Sequence, residues 1–487
     1  MVRRAPRLSA AQYPGASLHE PALVLLWERA GSRRSNSRTS RKPTFHIQAH
    51  PKISSVFRRE KFTRRFVICV HSCPFVVQLI VSPVATPATP PTVPQIFLAA
   101  LRLGCTSFGG PVAHLAHFRR DYVERRRWID EAHYADLVAL CQFLPGPASS
   151  QTGFGLGYLW RGWPGGLAAW FGFTLPSAAL MTAFALSAGK LSAFLGTGWL
   201  HGLKLAAVAV VAHAVLAMWR ALAPDAARAV LVLVSAAALL ALPFAWLQLA
   251  VIATGALAGL ALLSRPSEAA APPAPPAASS GYSATASSLR TSATVLVAFL
   301  ALLLALPAIC RNTANWPAAL ADQCYRSGAL VFGGGHVVLP LLQKEFVAPG
   351  GVSAEQFLAG YGAAQAMPGP LFTFAAFLGT TTHGVAGGAW ATLWIFLPGL
   401  LLVAAVLPFW QTLRVQPRAR AALRGANAAV VGLLLAALIH PIGAVAFTDL
   451  RSAALTAAAF GALFVPRVPV WAVVLACALA GGLIDVV

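Results

Sequence analysis

Two Pro-Gly-Pro triplets interrupt apolar stretches of this chain, Pro145-Gly146-Pro147 and Pro368-Gly369-Pro370. Each lies three residues after a glutamine, Gln142 and Gln365. Proline removes a backbone donor and breaks a helix, while glycine lets other backbone approach closely. At bilayer depth, irregular backbone is tolerated only where it is buried in protein or lines a cavity. A half-helix starting after such a break presents free N–H groups and the positive end of its dipole, a combination that favours an anion. The alternative is a pair of proline kinks that only shape packing.

Two Phe-Gly-Gly turns precede the triplets, Phe108-Gly109-Gly110 and Phe332-Gly333-Gly334, each six residues after an arginine, Arg102 and Arg326. An arginine within a membrane is costly and is a functional candidate by default. Two in equivalent positions suggest a pair facing a shared cavity, because guanidinium can fork two donors onto a tetrahedral oxyanion. Snorkelling to an interface from short segments is the competing reading. Asp322, four residues before Arg326, can pair with it on one helical face. His114 and His336 follow the turns at non-matching offsets and are read as structural hydrogen bonders rather than proton relays. Asp121, Glu124, Asp130 and Glu131 share a loop with Arg119, Arg120, Arg125, Arg126 and Arg127, read as a solvated cytoplasmic loop. Asp136 precedes the first triplet by nine residues. No carboxylate pair suggests hydrolysis and no ligand constellation suggests a metal, so neither catalytic residues nor cofactor nor metal are expected. A membrane-embedded enzyme would need a nucleophile beside the breaks, and Ser149-Ser150 is the only hint of one.

The elements that must position these residues are membrane helices. Of 487 residues, 57% are hydrophobic and 11% charged, and the mean hydropathy is +0.67. A soluble chain of this size could not cover its surface with so few charges. The phosphate-cradling signature G-x-x-x-x-G-K-[ST] does not occur, which argues against nucleotide-driven pumping by this chain. Ala229–Ser264 is uncharged and has Pro243 near its middle, enough for two tight spans; Thr291–Cys310 gives one, and the uncharged Gln356–Leu413 gives two spans and their turn. About 10–13 crossings of roughly 20 residues are expected.

The chain repeats itself. LRLGCTSFGGP at 101–111 aligns with YRSGALVFGGG at 325–335, CQFLPGP at 141–147 with AQAMPGP at 364–370, and GWPGGLAAWFGFTLP at 162–176 with GVAGGAWATLWIFLP at 384–398. The offset drifts only from 224 to 222. Repeated halves with paired broken segments mark secondary transporters whose site lies between the halves. The expected fold is therefore an all-α polytopic membrane protein of two homologous helical repeats with Pro-Gly-Pro broken helices. The repeats span 94–265 and 318–487, joined over 266–317 by a Pro/Ala-rich linker and a central span.

Residues 1–93 differ in kind. Residues 1–80 hold 15 of the 37 Lys and Arg, against 3 acidic residues, which accounts for +12 of the net charge of +22. This arm is expected to be a disordered basic tail rather than a nucleic-acid-binding segment. Part of it is expected to precede the true translation start, for example at Val84. The apolar run 66–81 is marginal in length for a span. Cys69, His71 and Cys73 fall short of a closed zinc site, and the other cysteines are scattered.

Taken together, SFGGPVAH at 107–114, the basic stretch from Arg119, Trp128 and Q-x-LPGP at 142–147 resemble the first domain of the chromate ion transporter family. FGGGHVVLP at 332–340 and Q-x-MPGP at 365–370 resemble its second. The resemblance runs from about residue 94 to the C-terminus. It implies a carrier in the bacterial inner membrane that exports chromate, a structural mimic of sulfate, driven by membrane potential or proton gradient and conferring chromate resistance. A carrier for another inorganic oxyanion such as sulfate is the alternative. The expected partners are the oxyanion and the lipid bilayer, and assembly into a homo-oligomer is compatible with such a carrier. The resemblance also implies inverted halves. The five arginines of 119–131 against the lone Lys344 of 344–355 suit inversion, whereas Arg414, Arg418, Arg420 and Arg424 do not.

Overall fold

The computed structural model describes residues 65–68, 77–80, 90–242, 247–263, 286–312, 315–347, 349–444 and 448–486. The chain divides into two units, Met1–Thr86 and Pro87–Val487. In the first, β1 (Arg65–Ile68) pairs antiparallel with β2 (Val77–Ile80), Arg65 opposite Ile80. Of the apolar run 66–81, marginal in length for a span, the described residues 66–68 and 77–80 are strand. Its Phe, Val and Ile residues suit a pleated strand, and Pro74 between the two runs disfavours a continuous helix. The expectations of disorder and of a later start site for the rest of the arm, and the linker before residue 286, lie outside the described residues.

The second unit is all-α, and its order repeats. In the first repeat, α1 (Val93–Thr106) leads through the Phe-Gly-Gly turn into α2 (Gly110–Phe118) and a π-helical stretch, Arg119–Arg125. Then come α3 (Glu131–Phe143), the first Pro-Gly-Pro break, α4 (Ala148–Leu195), α5 (Gly198–Leu222), α6 (Ala226–Ala241) and α7 (Leu247–Leu262). The central helix is α8 (Ala286–Asn312). The second repeat runs α9 (Trp316–Ala329), the second Phe-Gly-Gly turn, α10 (Val338–Phe346), α11 (Ala354–Ala366), the second break and α12 (Phe374–Val406). A short α13 (Trp410–Leu413) then leads to α14 (Pro417–Ala437), α15 (Leu450–Ala462) and α16 (Val470–Val486). Five helical stretches among the described residues are long and apolar enough to cross a membrane. The protein is an all-α polytopic membrane protein.

α4 and α12 are not straight rods. At Arg161-Gly162 the backbone leaves helical values, with Gly162 at φ 61° and ψ −150°. His383-Gly384 repeats this, with Gly384 at φ 66° and ψ −166°. A Cβ added to Gly166 would meet the Phe154 ring at 2.7 Å, and one added to Gly388 would meet the Ala376 carbonyl at 2.9 Å. Twelve residues of straight helix would separate each pair by about 18 Å. Each element is therefore a helical hairpin that turns at a positive-φ glycine. The 58-residue uncharged stretch 356–413 consequently holds three substantial helices rather than two, α11 and both arms of α12. Arg161 fastens its turn by donating to the carbonyls of Pro91 (2.8 Å) and Pro90 (3.0 Å).

The repeats interlock. Gly202 of α5 lies on the Cys477 carbonyl of α16, and Gly425 of α14 lies on the Gly255 carbonyl of α7. Each repeat thus seats the last helix of the other on α5 or on its repeat counterpart α14. Small residues permit this, because helices associate in lipid through close backbone packing. The largest hydrophobic core draws on α5, α10, α11, α12 and α14, so it sits on the seam between repeats.

Candidate functional site

Both Pro-Gly-Pro breaks lie on that seam. The Gly146 N–H donates to the Val331 carbonyl (2.7 Å), and the Gly369 N–H donates to the Ser107 carbonyl (2.8 Å). Val331 and Ser107 are the residues immediately before the two Phe-Gly-Gly turns. Each break therefore plugs into the turn of the opposite repeat, in an approximate twofold arrangement. Gly146 and Gly369 adopt φ 124° and 94°, which glycine takes without strain. A Cβ on Gly146 would reach the Gly399 Cα at 3.2 Å, and one on Gly369 the Ser177 Cβ at 2.9 Å. Gly399 and Ser177 are themselves repeat counterparts. The two turns also adjoin, since a Cβ on Gly335 would stand 3.6 Å from Pro111. The glycine amides of the triplets are thus committed to the other repeat rather than to a ligand.

The free donors lie one step further along. α4 starts at Ala148 after Pro147, and helix geometry leaves the N–H groups of Ala148, Ser149 and Ser150 without intrahelical acceptors. Ser149 and Ser150 are buried. The Ser149 hydroxyl meets His114 Nδ1 at 3.3 Å. The Ser150 and Ser107 hydroxyls and His114 Nε2 are buried with no hydrogen-bond partner. Gln151 braces this corner, donating from Nε2 to the Pro145 carbonyl (2.8 Å) and the Gly399 carbonyl (3.2 Å). Unpaired buried polar groups are expensive, so such a cluster is suited to a polar guest. The second repeat lacks it. There the break runs into Leu371-Phe372-Thr373, and the Thr373 hydroxyl is occupied by the Pro370 carbonyl (2.8 Å) and the Ser177 hydroxyl (2.5 Å).

The arginines part company. Arg326 is fixed by Asp322, Nε to Oδ1 at 2.9 Å and Nη2 to Oδ2 at 2.7 Å, and by Glu345 Oε2 at 3.1 Å. It lines a cavity of about 270 Å³ with Gln248, Ser327 and Lys344. Arg102 is exposed and is not among the lining residues of that cavity. Gln142 is exposed as well. Gln365 is half-buried, its Nε2 without a partner, one helical turn from Tyr361, whose hydroxyl meets His336 Nδ1 at 2.8 Å. Pro368 and Pro370 are buried in the second break, and Pro145 and Pro147 flank Gly146 in the first. Gly109 and Gly110 turn at φ 97° and 78°, and Gly333 and Gly334 at 76° and 145°. Gly333 abuts Leu222 and Asn427. The charged loop after α2 is ordered around Asp121, which accepts from Arg125 (3.0 Å) and Arg126 (2.6 Å).

Sequence reading missed Ser107 and Lys204, and singled out Ser150 only as the hint of a nucleophile. Ser107 and Ser150 are ordinary residues whose isolation from partners is a tertiary fact. Lys204 did carry a signal, as the only Lys, Arg, Asp or Glu between Lys190 and Arg220.

Two interlocked helical repeats whose broken segments meet on their shared seam have the architecture of a secondary membrane carrier. The chain belongs to the chromate transporter family, whose profile matches residues 94–260 and 318–482. It is similar to a chromate transport protein of Pseudomonas aeruginosa, 30% identical over 73% of this chain and 82% of that protein. A probable chromate transport protein of Synechococcus elongatus is 26% identical over 70% and 82%. A chromate transport protein of Cupriavidus metallidurans is 27% identical over 72% and 82%. No solved structure matches the chain significantly.

Proposed function

We propose that this chain exports chromate across the bacterial plasma membrane and binds it where the two breaks cross. The observation that carries this reading is the buried, unpartnered set of Ser107, Ser150 and His114 at the free N-terminus of α4, beside the reciprocal bonds that hold the crossing. A tetrahedral oxyanion accepts from hydroxyls, amides and a ring N–H at once, and a helix N-terminus favours its charge. Family membership and the names of its relatives support chromate over other oxyanions. The two repeats are read as inverted, so that each break faces the site from an opposite side of the membrane. No nucleotide is needed, because a dianion leaving a negative interior gains roughly 2.3 kcal/mol per charge per 100 mV. Resistance follows where efflux outpaces leakage inward.

Purified protein in liposomes tests the reading by chromate flux under an imposed potential, with an ionophore collapsing the potential and sulfate as competitor. Potential-dependent chromate flux above protein-free liposomes is expected. Flux that sulfate carries better than chromate would transfer the reading to a sulfate carrier, and no oxyanion flux would end it.

A further inference from the structure

A cavity of about 520 Å³ opens away from the crossing, lined in part by Ser192, Thr197, His201, Lys204, Glu355 and Gln356. It lies between the end of α4, α5 and the start of α11. Lys204 is 8% exposed, within the apolar body of α5. Its Nζ stands 3.4 Å from Glu355 Oε1, while the Glu355 side chain is 78% exposed. The two partners need each other unequally. A lysine inside a membrane span requires a counter-ion or water. Glu355 sits in the first turn of α11, capped by Ser353, where the helix dipole and solvent already favour a carboxylate. Such a long, one-sidedly exposed pair is readily replaced by a mobile anion.

Repeat symmetry sharpens the point. The residues equivalent to Ala188, Ser192 and Ala359 of this cavity are Trp410, Arg414 and Asp136. In that second location the side chains meet one another directly, because Asp136 accepts from Trp410 Nε1 (2.9 Å) and Arg414 (2.7 Å). The equivalent of Lys204 is Asn427, so a lysine stands at this position in the first repeat only, and the cation of the second location, Arg414, is held by Asp136. Further along α11, towards the second break, Tyr361 bonds His336 and is followed one turn later by Gln365. Lys204 and Glu355 thus line an open vestibule, whose counterpart residues Asp136 and Arg414 pair directly with each other.

We infer that Lys204 is the anion-recruiting residue of this vestibule and that Glu355 is its resident counter-ion, which an inorganic oxyanion dianion displaces on its way to the crossing. This rests on the reading of the chain as an oxyanion carrier and adds the residue that captures the substrate. It makes Lys204 a determinant of apparent affinity rather than of maximal turnover.

Two measurements test it. In proteoliposomes, Lys204→Gln should raise the half-saturating chromate concentration about tenfold with maximal flux changed less than twofold to threefold. Lys204→Arg should stay near wild type, and Glu355→Gln should lower the half-saturating concentration. In native membranes, an amine-acylating reagent should modify Lys204 more slowly when chromate or sulfate is added, whether or not flux is measurable. Faster modification in Glu355→Gln should accompany this. An unchanged half-saturation in Lys204→Gln, or acylation that neither anion slows, overturns the assignment. Wild-type protein that is protected by both anions but moves no chromate instead sinks the chromate reading and leaves Lys204 as an oxyanion ligand.

Discussion

Replacing Gly369 with alanine adds one methyl group at the crossing of the repeats. At φ 94°, an L side chain costs about 1–3 kcal/mol. The new Cβ would stand 2.9 Å from that of Ser177, and relieving such overpacking costs about 1–3 kcal/mol more. The shift would also pull the Gly369 N–H from the Ser107 carbonyl, a bond of 2.8 Å, worth about 0.5–1.5 kcal/mol. Together these reach roughly 2.5–7.5 kcal/mol, all of it on the seam. Gly110 is the internal control. It too has positive φ, 78°, but a Cβ there meets nothing within 4 Å, so Gly110→Ala carries only the conformational part, about 1–3 kcal/mol. If half of a ~4 kcal/mol cost falls on the transporting conformation, flux drops about 30-fold. The assay is chromate flux in proteoliposomes per reconstituted protein, with thermal unfolding in detergent alongside. Gly369→Ala should lose at least about tenfold in flux and unfold at lower temperature, with Gly110→Ala much nearer wild type. Wild-type flux and wild-type unfolding in both Gly369→Ala and Gly146→Ala would refute the crossing as a constrained site.

The remaining expectations concern polar groups and the linker. Ser150→Ala and His114→Ala should each weaken apparent chromate affinity by roughly tenfold or more, since a hydrogen bond to a charged group is worth about 1.5–3 kcal/mol; unchanged half-saturation in both removes α4 from the site. Arg326→Ala leaves Asp322, 5% exposed, without its partner and should cut folded yield, because breaking a buried pair costs about 3–5 kcal/mol. Arg102→Ala, at an exposed position, should leave yield unchanged; severe flux loss at normal abundance in both variants would instead support a shared oxyanion pair. Deleting residues 270–280 should change flux little, because a proline-rich connector mainly sets reach.

Much of the architecture was legible because it is written in local backbone chemistry. Proline lacks a donor and glycine tolerates positive φ wherever they occur, so Pro145-Gly146-Pro147, Pro368-Gly369-Pro370 and the Phe-Gly-Gly turns marked breaks without knowledge of the fold. Their repetition at nearly constant offset announced two equivalent halves. The i to i+4 spacing likewise exposed the Asp322–Arg326 pair, since helical neighbours follow from sequence distance alone. Gly162 and Gly384 stood at the start of recognised apolar runs, yet the reversal at each was unreadable because a turn and a continuing helix share the same apolar composition.

What only the tertiary structure decided depends on partners far apart in the chain. Glu345 claims Arg326 from a different helix, which no spacing rule reveals. The Gly146 and Gly369 amides bond across the repeats, so the donors left for an anion move to Ser149, Ser150 and His114. Sequence symmetry also implied equal halves, whereas the two pairs that bridge them, Lys204 with Glu355 and Asp136 with Arg414, do not mirror each other. The reason is physical. Helix breaks arise from single residues, but the worth of a charge or hydroxyl within a membrane is set by whether the folded chain brings it a partner.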